Sequence, residues 1–318
     1  MSKKIFRSMV FFSVMILVSV LLRAELPVKE GYIEFAGGRT WYKIVGDGPG
    51  IPIITVHGGP AASHFYLEPL EAMAVERPVI FYDQRGCGNS DPLDTSFWTI
   101  EFFAEELNQL IKQLGLRKFH LFGQSWGSMV ATDFILNNNP EGLISLIYSG
   151  PCLDARRWVA DQRYWLTQMP EDLQQIIYDT EKSGNFSSTD YQDAMTEYYN
   201  KHLCRRVPWP EALVKTFEFM NPYIYEFMWG PSEFTCSGTL QDYDRTAYLH
   251  LINVPTLFTC GEYDEARPET VKYYKRLISH SEIEVFKNCS HETFLEQPKL
   301  YNKVLSKFLK KVEKKYRR

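Results

Sequence analysis

From residue 31 to residue 149 the chain alternates short, mostly apolar runs with longer stretches whose apolar residues recur every three or four positions. Residues 52–56, 78–82, 118–122 and 143–148 have the mostly apolar character of strands buried on both faces. Between them, residues 65–75, 99–114 and 128–138 carry helical spacing. It is clearest in Ile100, Phe103, Leu107, Leu110, Ile111 and Leu114, after which Gly115 closes the pattern. Ahead of this series, residues 31–35 and 39–45 flank Gly37-Gly38 and predict a β-hairpin. The rhythm predicts a largely parallel sheet with helices over both faces.

The rhythm stops at Ser149-Gly150-Pro151. Residues 153–167, 171–181, 189–202 and 209–219 then follow one another as helical patterns, with no buried-type strand among them. Strand and helix patterns resume at 255–260, 268–278, 283–286 and 298–312. The chain thus divides into an N-terminal segment 1–24, a first core part 25–151, a helical insertion 152–242 and a second core part 243–318. An insertion after the sixth strand covers the carboxyl ends of the strands, where open α/β sheets bind ligands. It also holds many of the aromatics (Trp158, Trp165, Tyr198, Tyr199, Phe217, Phe219, Tyr223, Tyr225, Trp229), more than a small subdomain needs for packing.

Composition narrows the function classes. A length of 318 residues suits one large α/β domain with an insertion, and a net charge of −4 gives no footing for nucleic acid. Six cysteines show no C-x-x-C pair and no metal-ligand spacing; Cys260 and Cys289, each near the end of a strand, are the pair to inspect for a bridge. Lys3, Lys4 and Arg7 precede an apolar run, 9–22, that fits a secretory signal better than a membrane span. Cleavage is expected after Ala24, giving an exported protein. An uncleaved anchor through 9–22 is the alternative, because Leu22 is large for the −3 position.

The chemistry centres on Gly123-Gln124-Ser125-Trp126-Gly127, placed between a strand and a helix. This is the sequence of a nucleophile elbow, with Ser125 as nucleophile and the following helix dipole aimed at it. A serine needs a base oriented by an acid, in the chain order Ser, Asp or Glu, His. Of seven histidines, only His291 follows a late strand on a turn before the last helix. Asp264, on the turn after residues 255–260, is the favoured acid and Asp154 its rival. The oxyanion needs two backbone N–H donors: Trp126, and a second from His57-Gly58-Gly59-Pro60, Gly59 ahead of Gly58. A histidine base works only when neutral, so activity is expected to fail below roughly pH 6.

Six motifs in the same order carry a resemblance. They are His57-Gly58-Gly59-Pro60, Tyr82-Asp83-Gln84-Arg85-Gly86-Cys87-Gly88-Asn89-Ser90, the elbow, Gly230-Pro231-Ser232-Glu233-Phe234, Gly261-Glu262-Tyr263-Asp264-Glu265 and Cys289-Ser290-His291. The chain resembles the proline iminopeptidase family, most closely its tricorn-interacting aminopeptidase branch. The resemblance implies an α/β-hydrolase fold with a helical cap, acting on short peptides with a free N-terminus without metal or organic cofactor. It also implies that Glu233 and Glu265 hold the substrate's α-ammonium, although by residue type alone Glu233 is a solvated surface glutamate. The family's glycine after H-G-G-P is Ala61 here, which matters if that position needs a positive φ. An esterase or amino-acid amidase, or a non-catalytic binding protein on the same fold, are the alternatives. No nucleic acid is expected as partner, and no membrane beyond the possible anchor.

Overall fold

The computed structural model describes residues 26–316, so the N-terminal segment 1–24 lies outside the described residues. Eight strands form one sheet: β1 (Val28–Phe35), β2 (Gly38–Val45), β3 (Ile53–Val56), β4 (Val79–Tyr82), β5 (Phe119–Gln124), β6 (Leu143–Ser149), β7 (Thr256–Gly261) and β8 (Ser281–Phe286). Their order across the sheet is β1-β2-β4-β3-β5-β6-β7-β8. Only β2 runs against the rest, pairing antiparallel with both β1 and β4.

The chain adds β4 on one side of β3 and β5 on the other, so the order reverses at β3. The loops leaving β3 and β5 therefore diverge around a crevice, the usual ligand position in such sheets. Register sets the distances there. Val56 pairs with Gly123, so two residues further along each strand Gly58 faces Ser125. Beyond β6, the loops after β7 and β8 bring Asp264 and His291 to the same edge.

The helices are α1 (Ile100–Gln113), α2 (Trp126–Asn138), α3 (Ala155–Leu166), α4 (Glu171–Ser183), α5 (Thr189–His202), α6 (Glu211–Glu218), α7 (Pro222–Met228), α8 (Pro268–Leu277), α9 (Thr293–Glu296) and α10 (Pro298–Tyr316). Thr99 caps α1 by accepting the Phe102 N–H. Residues Phe65–Val75 wind as a tighter 3-10 helix, because Pro69 inside the segment lacks the N–H an α-helix would use. The sequence pattern passes over α7: seven residues, Pro222 at its first turn and aromatics all round leave no periodic stripe. Its start is nonetheless fixed by Asn221, whose Oδ1 accepts from Tyr223 and Ile224 N–H. All six cysteines are free, so Cys260 and Cys289 are two buried thiols and not a bridge.

The last helix is tied to the core by a buried ion cluster. Glu313 Oε1 accepts from Arg77 and from the Ile51 N–H, and lies 3.2 Å from His120 Nε2. Glu313→Leu removes the nearer carboxylate from the buried Arg77, leaving it only Glu76 at 3.6 Å. Urea unfolding should register a loss of about 3 kcal/mol.

Candidate active site

Ser125 sits at the junction of β5 and α2 with φ 51° and ψ −123°, a strained conformation for a residue with a Cβ. The turn is possible because both flanking glycines lie against backbone. A Cβ on Gly123 would stand 2.6 Å from Gly127 O, and one on Gly127 would stand 2.2 Å from Val56 O. Gly127→Ala should therefore push α2 away from β3 and lower stability by about 1–3 kcal/mol in thermal or urea melts, with activity falling alongside.

His291 Nδ1 lies 2.7 Å from Asp264 Oδ1, both side chains buried. Asp264 is itself fixed by the N–H groups of Gly261 and Ala266, each 2.9 Å away. The rival acid is engaged elsewhere: Asp154 caps α3 by accepting the Arg157 N–H. His291 and Ser125 line one cavity of about 140 Å³. His291 Nε2 meets Gln124 Nε2 at 2.7 Å, and Gln124 Oε1 accepts from Tyr66 Oη at 2.6 Å. Presented nitrogen-first, the Gln124 carboxamide donates to a neutral ring; turned over, it accepts from a cationic one.

Burial alone would depress the His291 pKa, but the charge and hydrogen bond of Asp264, with Glu265 and Glu292, outweigh it and hold the ring up at about 10. This moves the expected pH dependence. A base with a raised pKa is neutral only at higher pH, so the acid limb of kcat/KM should lie above about pH 7 and not near 6. Glu265→Gln, which removes one of the raising charges, should shift that limb downward in a pH–rate profile.

The loop after β3 separates the two candidate oxyanion donors. Both Gly58 and Gly59 border the cavity beside Ser125, but Gly58 N–H is already bonded to Tyr66 Oη at 2.6 Å. Ala61 adopts φ 56° while fully buried, so the alanine takes the left-handed conformation the motif's glycine would. On the other side of the serine, the Trp126 indole donates to Gln84 Oε1 at 2.9 Å. Gln84 in turn binds His57 twice, backbone N–H to Nε2 and carboxamide to the carbonyl, each at 3.0 Å. Burial pushes His57 down to about 4, so its ring is the neutral acceptor this clamp needs. The Asp83-Gln84-Arg85 motif thus braces the two loops that carry the candidate donors.

Helix α3 closes the site through one face. Trp158 Nε1 donates to Glu233 Oε2 at 3.1 Å, Gln162 Nε2 to Glu265 O at 3.1 Å, and Trp165 Nε1 to Asp264 O at 2.7 Å. Positions 158, 162 and 165 are spaced as one helix face. That spacing was in the sequence, but Gln162, Tyr66, Gln124 and Glu292 were not singled out there. Glu233 Oε1 also accepts from Tyr225 Oη of α7 at 2.5 Å. Glu265 Oε2 stands 4.0 Å from His291 Nε2, and Glu265 Oε1 is buried without a partner among the described residues. Burial raises the pKa of both acids, and Glu233 raises Glu265 further. Neither is the solvated glutamate that residue type alone suggests. A second, mainly apolar pocket opens beside Ser125 between Pro60, Met129, Cys152, Trp158, Tyr225 and Trp229.

This fold and elbow define a class. The alpha/beta hydrolase fold family matches residues 51–298, and the chain is an α/β-hydrolase. A proline iminopeptidase of Heyndrickxia coagulans is 42% identical over 287 residues, 89% of this chain and 99% of that protein. The crystal structure of proline iminopeptidase from Mycobacterium smegmatis superposes with TM-score 0.83 at 32% identity, covering 89% of this chain and 98% of that one. The structure of VinJ superposes with TM-score 0.86 at 34% identity, covering 89% and 99%. The chain belongs to the proline iminopeptidase family.

Proposed function

We propose that this protein is a serine aminopeptidase that releases the N-terminal residue, proline or another compact apolar one, from short peptides. The observation that carries the reading is the pair of half-buried Glu233 and buried Glu265 in the cleft of Ser125 and His291: acids with no lysine or arginine paired to them among the described residues, in a cavity a substrate's ammonium can enter. In this reading the N-terminal side chain packs toward Trp158, Tyr225 and Trp229 at the apolar pocket beside Ser125.

Ser125 attacks the first carbonyl as His291 takes its proton, and the N–H groups of Gly59 and Trp126 bind the oxyanion. His291 then hands that proton to the departing amine, while Asp264 keeps the ring oriented and balances its charge. Water attacks the acyl-enzyme by the same route in reverse. Aminoacyl arylamides, N-acetylated counterparts and short-chain esters should be compared directly. The aminopeptidase hydrolyses the free-amine arylamides and largely refuses the blocked ones; an esterase prefers the esters and ignores the amine. We propose export as well, supported by the charged and apolar pattern of residues 1–24. Mass spectrometry of the native protein should then find an N-terminus near Glu25, and an intact Met1 form would refute it.

A further inference from the structure

The mechanism leaves one buried acid without a task. Glu292 directly follows His291, is 3% exposed, lines the cavity of Ser125 and His291, and has an Oε2 with no hydrogen-bond partner among the described residues. Apart from Glu265, assigned above to the substrate's ammonium, several polar neighbours around that cavity are engaged within the protein. Tyr66 bonds to Gln124, Thr216 takes the Tyr66 N–H and donates to Ala212 O, and Glu233 is held by Trp158 and Tyr225.

Position gives the acid a substrate group to meet. Glu233 borders both the aromatic pocket and the larger cavity, whereas Glu292 borders only the latter, with Leu203, Leu213, Phe217 and Met220. With the N-terminal residue in the aromatic pocket, the leaving peptide extends into this larger cavity. Walls of leucine, phenylalanine and methionine beside Glu292 match a side chain with an aliphatic stem and a cationic head. An acidic side chain there meets Glu292 and Glu265 instead and is repelled.

We propose that Glu292 selects the residue after the scissile bond, favouring peptides with lysine or arginine in second position. The inference rests on the aminopeptidase reading above. Burial, with Asp264 and Glu296 adding to it and His291 opposing, lifts the Glu292 carboxyl to about 8, so an arriving ammonium supplies the charge that ionises it.

The test measures kcat/KM for Pro-Lys, Pro-Leu, Pro-Glu and Pro-(Nε-acetyl-Lys) peptides on the wild type, Glu292→Gln and Glu292→Leu, with thermal melts to establish folding. Ratios between substrates are read within each variant, so any effect on His291 cancels. Wild type should prefer Pro-Lys over Pro-Leu and over the acetylated peptide by about tenfold, and both variants should bring the ratios near one. A wild-type ratio near one, or a preference unchanged in both variants, overturns the inference even where prolyl arylamide is still hydrolysed. No arylamide hydrolysis by the wild type overturns the aminopeptidase reading and this inference with it.

Discussion

Ser125→Ala is expected to lower kcat on an aminoacyl arylamide by ~10³-fold or more, with His291→Ala close behind. The two act as a unit, since a serine without its base is a weak nucleophile and a base without its serine has only water to activate. The double variant should therefore be scarcely worse than either single one. Thermal melts should show that the fold survives, because neither side chain belongs to the hydrophobic core. A serine-directed phosphonate should label Ser125 alone and leave the alanine variant unmarked. Near-wild-type turnover by Ser125→Ala, in a preparation cleared of host peptidases, would remove this serine from the mechanism.

The second large effect concerns how one residue is measured from the peptide's end. Charge-assisted hydrogen bonds to a buried carboxylate are worth roughly 1.5–3 kcal/mol each, so losing one costs about ten- to a hundredfold in kcat/KM. Glu233→Gln and Glu265→Gln should each impose that loss on free-amine substrates and largely spare a small uncharged ester. Glu233 carries the sharper version of the test. Trp158 and Tyr225 both donate to its carboxylate, and a glutamine presents one nitrogen where two donors expect oxygen. Equal losses on amine and ester substrates would mean general damage to the cleft and no ammonium site.

Much of this site could be read from the chain because its chemistry is bound to local backbone. An elbow serine needs glycines two residues to either side, and the strand and helix around it follow from apolar periodicity. Asp264 and His291 follow their strands directly, so topology alone brings them together. What escaped the sequence is long-range. The bond between Tyr66 and Gln124 joins residues 58 positions apart, and the grip of Trp165 on the Asp264 carbonyl spans 99. Neither residue type advertises such a partner. The same limit explains Glu292, which nothing in the sequence singles out and which residues of α5, α6 and the Phe65–Val75 segment join in lining the cavity. The elevated His291 pKa was hidden for the same reason: it depends on Asp264 and Glu265, brought from a separate stretch of chain to join Glu292.

The crowding of Glu233, Glu265 and Glu292 around His291 has a thermodynamic consequence. Burial holds Glu233 and Glu265 above their ordinary range and Glu292 up at about 8, and a cation entering among them favours the ionised form. Substrate association should thus expel protons into the medium. Calorimetric titration of a free-amine peptide into the inactive Ser125→Ala protein should give an apparent enthalpy that changes with the buffer's heat of ionisation, and an affinity that strengthens as the pH rises toward the ammonium's own pKa. The acetylated peptide, carrying no charge to exchange, should show neither dependence. The cleft would then behave as an ion exchanger that trades hydrogen ions for the peptide's amino terminus.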